Sequence, residues 1–197
     1  MLDGAVDHLI HNVLPSASDY SAAEDSLSEA YAFDPTFTGW EEAARNAKRH
    51  AAHLAIAIDG LTDRSTKELA LSKTAIRASI DALCVWPGTV FPRQGCIERV
   101  RGVANAYKHE NLSDPTLPIA SANDVLVVAL GYGLESFGVG KFGGLEVIVR
   151  DKSGEHWKFL GDAPVAVAAW FRFLSTHGAT VPNGPYHAFG VQLHPPP

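Results

Sequence analysis

The sequence predicts an α+β fold: a mainly α-helical bundle of about five helices, then a small three-stranded antiparallel sheet and a buried C-terminal helix. Three observations carry this. Apolar residues recur at steps of three and four through the first 110 or so positions. The periodicity then changes to short β-rich runs, "DVLVVAL", "GLEVIVR" and "EHWKFL". Last, "DAPVAVAAWFRFLSTHG" is apolar on more than one side, which asks for burial against both the bundle and the sheet.

Taken in order, Leu2, Val6, Leu9, Ile10 and Val13 mark a first helix that Pro15 is expected to end. "SAAE", Ser21 to Glu24, has capping-box form and opens a second helix that stops before Asp34-Pro35. "TGWE", Thr38 to Glu41, opens a third. Its stripe is Trp40, Ala44, Ala47, Ala51, Leu54, Ile58 and Leu61. Gly60 and "LTD" are expected to interrupt it. "STKE", Ser65 to Glu68, then starts a fourth helix with Leu69, Ile76, Ile80 and Leu83 inward. After a turn-rich loop at 86–95, a fifth helix covers about 93–111, burying Ile97, Val100, Ala104 and Tyr107. "DKSG" suits a bulged hairpin between the second and third strands. Asp162 is the expected N-cap of the last helix, Pro164 falls in its first turn, and Gly178 ends it. This divides the chain into a bundle at 1–112, a meander plus helix at 113–180 and an irregular tail at 181–197, with one compact unit favoured over two.

The totals exclude several classes. The chain has 197 residues, 46% of them hydrophobic, enough for one sizeable core. Its formal charge of −6 argues against a globally basic nucleic-acid binder but allows a local basic patch. Cys84 and Cys96, outside any CxxC or Cys/His ligand pattern, read as reduced thiols, with Cys84 in the core. No run reaches the roughly 18 apolar residues of a membrane span, and the N-terminus lacks signal-peptide form. The expectation is a cytoplasmic protein with no membrane partner.

The P-loop and the nucleophile elbow are both missing. Lys141 follows Gly140, but Glu135 and Phe142 stand where a P-loop needs Gly and Ser or Thr, and a strand follows. The glycine-rich segment 131–144 therefore reads as a β connection. G-x-S-x-G is absent too, so Ser-His-Asp chemistry has no anchor. His50 and His53 stand one turn apart, yet no third ligand is spaced to complete a metal site. No cofactor and no metal is expected. The same stretch, "RNAKRHAAH", carries Arg45, Lys48 and Arg49. It is the most basic run of an acidic chain: either a solvated face or a strip that binds anions.

"ERVRGVANAYKHENL" holds the strongest candidates for chemistry. Glu98, Arg101, Asn105 and His109 fall within roughly 80° of helical arc, beside the apolar stripe. Arg offers a cationic fork, Asn a neutral donor and acceptor, and His a titratable nitrogen; Lys108 adds charge. Together they could hold a phosphate and move a proton. The competing reading is structural: a Glu98–Arg101 pair, Asn105 on backbone, His109 at the negative end of the helix.

At "RGVANAYKH", Arg101 to His109, the chain resembles the HEPN-like helical proteins of prokaryotes. The match is an R-x-x-x-N-x-x-K-H variant with seven residues between Arg and His, and it extends to the helical context of residues 1–112. The resemblance implies a small, often dimeric helical bundle that binds RNA or a nucleotide. In active members Arg and His from two protomers cut RNA without metal. On that basis Arg101, Asn105 and His109 are the candidate catalytic residues; from their charge, Lys108, Arg45 and Arg49 are the candidate ligand contacts. The alternative is a non-catalytic interaction protein, homodimeric or bound to another partner.

Overall fold

The computed structural model describes residues 2–109, 112, 114–129 and 144–194. Helix α1 (Asp3–His8) runs through a π turn (Leu9–Val13) into α2 (Leu14–Phe33) without a break. Pro15 therefore does not end a helix. The wider i→i+5 turn lies just ahead of it, where an α turn would set a carbonyl against the proline ring. Glu24 is not a cap but a core residue. Buried, it accepts from the Tyr20 hydroxyl at 2.7 Å and from the backbone N–H of Val147 at 3.0 Å, tying α2 to the sheet.

Asp34 folds the elbow after α2 by accepting from the Thr36 N–H (2.9 Å) and hydroxyl (2.7 Å). Helix α3 (Phe37–Leu69) then continues through Gly60 and "LTD" for 33 residues. A mid-helix glycine costs about 1 kcal/mol. Burial of Ile58, Leu61, Thr62 and Ser65 around it outweighs that. "STKE" lies inside this helix. Its Glu68 carboxylate instead caps α1, accepting from the N–H groups of Gly4 (3.0 Å) and Ala5 (3.4 Å). The break falls at Ala70, whose φ of 54° is left-handed, and Ser72 caps α4 (Lys73–Asp81).

Helix α5 (Cys96–Lys108) starts after Gly95, at φ 73°, and is shorter than the sequence predicts. Val103 and Ala106 continue its buried stripe in place of Tyr107, which is exposed. Strands β1 (Val125–Ala129), β2 (Leu145–Arg150) and β3 (His156–Lys158) form the predicted antiparallel meander, with Val127 opposite Val147 and Val149 opposite Trp157. Leu145 to Val149 are buried at every position, because helices cover the central strand. The connection at 131–144 falls almost wholly outside the described residues.

Helix α6 (Phe159–Thr176) begins four residues earlier than predicted, so Lys158 and not Asp162 is its N-cap, and Pro164 lies inside it. The helix packs on α5, α4 and β2 and is almost wholly buried. The tail is not irregular throughout. β4 (Tyr186–Ala188) and β5 (Val191–His194) pair as a hairpin against α6, with Tyr186 and His194 stacked on Phe171 at 5.3 and 4.7 Å. One hydrophobic core runs from Leu2 to Leu193 through bundle, sheet and last helix. Among the described residues no helix is long and apolar enough to cross a membrane.

Candidate functional site

The polar ridge of α5 is divided among different partners. Both ends of the Arg101 guanidinium are taken by carboxylates: Nη1 donates to Glu98 at 2.7 Å and Nη2 to Asp114. Burial alone would depress this guanidinium, and the two carboxylates more than reverse it. Asn105 donates its amide back to the Arg101 carbonyl at 2.9 Å. His109 lies past the helix end, where its backbone is extended (φ −132°) and its side chain exposed. Arg101 and His109 are eight residues apart, which is about 12 Å of helix rise. Within one chain these three side chains share a flank and not a pocket.

Lys108 is the residue of this ridge that enters a groove. Its Nζ pairs with Asp59 of α3 at 2.9 Å. It lines an open groove of about 410 Å³ together with His8, Asn12, Ser16, His53 and Arg64. Ile56, Ala57 and Gly60 complete the described lining, so no carboxylate is among it. Three stretches of helix meet here: the continuous α1–π turn–α2 rod, which also supplies His8, then α3 and α5. The π turn and the start of α2 supply Asn12 and Ser16, α3 supplies His53 and Arg64, and α5 supplies Lys108.

Arg45 and Arg49 lie further along α3. They line a second groove with Gly39, Glu42, Ala43 and Asn46, of about 780 Å³. Arg45 donates to Glu41 and Arg49 to Asn46, at 2.7 and 2.5 Å. Lys48 projects elsewhere; it is half-buried, and burial lowers its pKa. At 100° per residue, Arg45, Arg49, His53, Gly60 and Arg64 fall within about 100° of arc, opposite the buried Ala47–Leu54–Ile58 stripe. The outer face of α3 thus carries one basic strip, about 28 Å long between Arg45 and Arg64. Neighbouring acids are largely engaged: Glu41 by Arg45, Asp59 by Lys108 and Asp63 by Lys73. Glu42 and Asp63 are carboxylates within the arc of the strip, Asp63 held by Lys73.

His50 and His53 place their rings edge to face, 5.9 Å between centroids. Among the described residues no three His, Cys, Asp or Glu side chains are grouped to hold a metal.

Two features escape sequence reasoning. Asp162, wholly buried, accepts from Arg93 Nε at 2.6 Å and from Arg99 Nε and Nη2 at 2.8 Å each. The Arg99 guanidinium also covers the Trp157 ring, 3.9 Å from its centroid. Nearby, Lys158 pairs with Glu146 at 2.8 Å, both buried. These are charges 12 to 69 positions apart in sequence. Arg99 falls outside the stripe predicted from Ile97, Val100, Ala104 and Tyr107, so no local signal announced that an acid had to meet it.

Comparison with family models, with curated proteins and with solved structures gives no match to this chain.

Proposed function

We propose that this chain is a HEPN-like protein that binds RNA or a nucleotide by its phosphates, along the outer face of α3 and the end of α5, and that a single chain does not cut what it binds. One observation carries the reading. Arg45, Arg49, His53 and Arg64 lie on one helix face, and Lys108 of the "RGVANAYKH" segment joins them across the groove. Cationic side chains along a groove follow a phosphate backbone without reading its bases. The non-cutting half rests on Arg101, whose fork is held by two carboxylates, and on its distance from His109. The test uses fluorescence anisotropy with a labelled 12-nucleotide RNA. Wild type should bind, and Arg49→Ala with Lys108→Ala should weaken binding at least tenfold. Incubation should leave the RNA intact in wild type and His109→Ala alike. Unchanged affinity in the double variant would contradict the binding site. Cleavage by wild type that is monomeric in the assay, and that stops in His109→Ala, would contradict the non-cutting claim.

The alternative, a non-catalytic protein that pairs with itself or another protein, has its own supporting observation. Phe33 (93% exposed) and Phe37 (59%) stand in the elbow between α2 and α3. Sedimentation velocity separates the readings: a dimer that dissociates in Phe33→Ser/Phe37→Ser favours the second. Such a dimer is also what the family resemblance requires before Arg101 and His109 could act together.

A further inference from the structure

The two edges of the meander are finished differently. β3 is three residues long, carries His156 and Lys158, and runs straight into α6. Beyond its end Glu24 accepts the Val147 N–H, which β3 is too short to reach. Short length and charge are among the ways proteins keep a sheet edge from pairing with another chain. β1 shows neither protection. "VLVVA" is five residues long and holds no charged residue and no proline. The nearest charge, Asp124, is neutralised by Arg150 at 2.8 Å. Among the described residues no strand pairs with the outer edge of β1.

The strand pairing fixes which backbone groups that edge offers. In an antiparallel ladder a residue's N–H and C=O point to the same side, and the side alternates along the strand. The Val147 N–H goes to Glu24 and the Asp151 N–H to Glu155, so the odd-numbered residues of β2 point away from β1. Val127 stands opposite Val147, and Leu126 opposite Ile148. Leu126 and Val128 therefore bond to β2, while the N–H and C=O of Val127 point outward. Among the described residues neither of these Val127 groups has a hydrogen-bond partner. Val125 turns its N–H back to the Ala122 carbonyl and keeps its outward C=O.

We propose that β1 pairs with β1 of a second copy of this chain, antiparallel about Val127, joining two meanders into one continuous sheet across a two-fold axis. The strand is self-complementary in that register. Val127 exchanges both N–H···O bonds with Val127 of the second copy, and the Ala129 N–H reaches the Val125 carbonyl at each end. On the sheet face opposite Val125 and Val127, Leu126 meets Val128 of the second copy twice over. Both side chains are half-buried in the single chain, whose core takes Val125 and Val127 instead. Apolar cross-strand pairs of this kind are what stabilise a sheet. Every paired position is uncharged, so two acidic chains meet here without facing like charges. An isologous contact also repeats each interaction, which a single foreign peptide on this edge would not. The contact uses neither the basic strip of α3 nor the Phe33–Phe37 elbow, so it stands apart from both readings of function.

Sedimentation velocity and amide hydrogen exchange on the full chain test this together. Wild type should sediment as a dimer in reversible exchange with monomer over about a hundredfold range of concentration. Raising the concentration should slow exchange at the Val127 N–H, while Leu126 and Val128, bonded within the chain, stay slow throughout. Leu126→Lys/Val128→Lys sets lysine against lysine twice across the two-fold and should weaken the dimer about tenfold or more. Leu126→Glu/Val128→Lys keeps the lysine beside Glu146, its neighbour on β2, and sets it against glutamate across the two-fold. This variant should restore the dimer to within about threefold of wild type. Phe33→Ser/Phe37→Ser should leave it unchanged. A monomeric wild type overturns the proposal, and so does a dimer in which the Val127 N–H exchanges as fast as in the monomer. A dimer that survives Leu126→Lys/Val128→Lys, or that opposite charges fail to restore, overturns the register and with it this contact. A dimer lost in Phe33→Ser/Phe37→Ser would assign the contact to the elbow instead. None of these outcomes depends on RNA binding, so loss of RNA binding alone would defeat only the RNA reading.

Discussion

Replacing Asp162 by Asn is the sharpest perturbation of the framework that holds α5. Asp162 lies wholly inside the protein and pairs with both Arg93 and Arg99, each side chain itself about nine-tenths covered. It accepts three charge-assisted hydrogen bonds, at 2.6, 2.8 and 2.8 Å. Asparagine keeps the shape but removes the charge and aims an N–H₂ group at a guanidinium. Breaking a buried pair by removing one partner costs about 3–5 kcal/mol, because the other charge stays buried and uncompensated. The Trp157 ring over Arg99 returns only about 2 kcal/mol at most, and it does so in both proteins. With a urea slope of about 2 kcal/mol per molar, the unfolding midpoint should fall by roughly 1.5–2.5 M. The assay is urea unfolding followed by far-ultraviolet circular dichroism. A second variant, Arg99→Met with Asp162→Asn, should recover part of the loss, since it removes a stranded cation. A loss under about 1 kcal/mol in Asp162→Asn would refute the reasoning, because such a site would have to be hydrated or free to open.

Two further outcomes follow from the same structure. Asp114 is held down to about 2 by the hydroxyl and N–H of Thr116 and then by Arg101, so its contribution is present above the ordinary carboxylate range and is lost as pH falls through about 2. A carboxyl-carbon NMR titration should give that midpoint. Thr116→Val should raise it more than Arg101→Ala does; a midpoint near 4 in the native protein would contradict the geometry. Burial, and then the adjacent Cys84 thiol, pushes Cys96 well above the usual thiol range, and both sulfurs are covered. Iodoacetamide should therefore leave both cysteines untouched in the native protein and label both in 6 M urea; rapid native labelling would show that the α4–α5 junction opens.

The fold was legible where one pattern ruled a segment alone. The Ala47–Leu54–Ile58–Leu61 stripe and the three β-rich runs correspond to α3 and the meander as built. Legibility failed where local signals competed with packing. Pro15, Gly60 and "STKE" are genuine stop or start signals in isolation. Here each sits within a longer rod whose buried neighbours outweigh them, and Glu68 spends its capping capacity on another helix. Asp162 was read as the N-cap of the last helix and not as the partner of two arginines over sixty positions away. The site divides in the same way. Lys108, Arg45 and Arg49 were visible as local charge. His8 and Arg64 were not, because the one stands in an apolar helical pattern and the other in a segment expected to be a break. What joins them to Lys108 is the packing of α1 and α5 on α3.

The most direct measurement of the central claim is the salt dependence of binding to a labelled single-stranded RNA. For a single strand, log K falls with log salt by about 0.7 for each phosphate neutralised. If the strip on α3 carries the backbone, Arg45→Ala/Arg49→Ala should lower the slope by about 1.4 and weaken binding for every sequence tested. An unchanged slope in that variant, or no salt-dependent binding by the wild-type chain, would contradict the account.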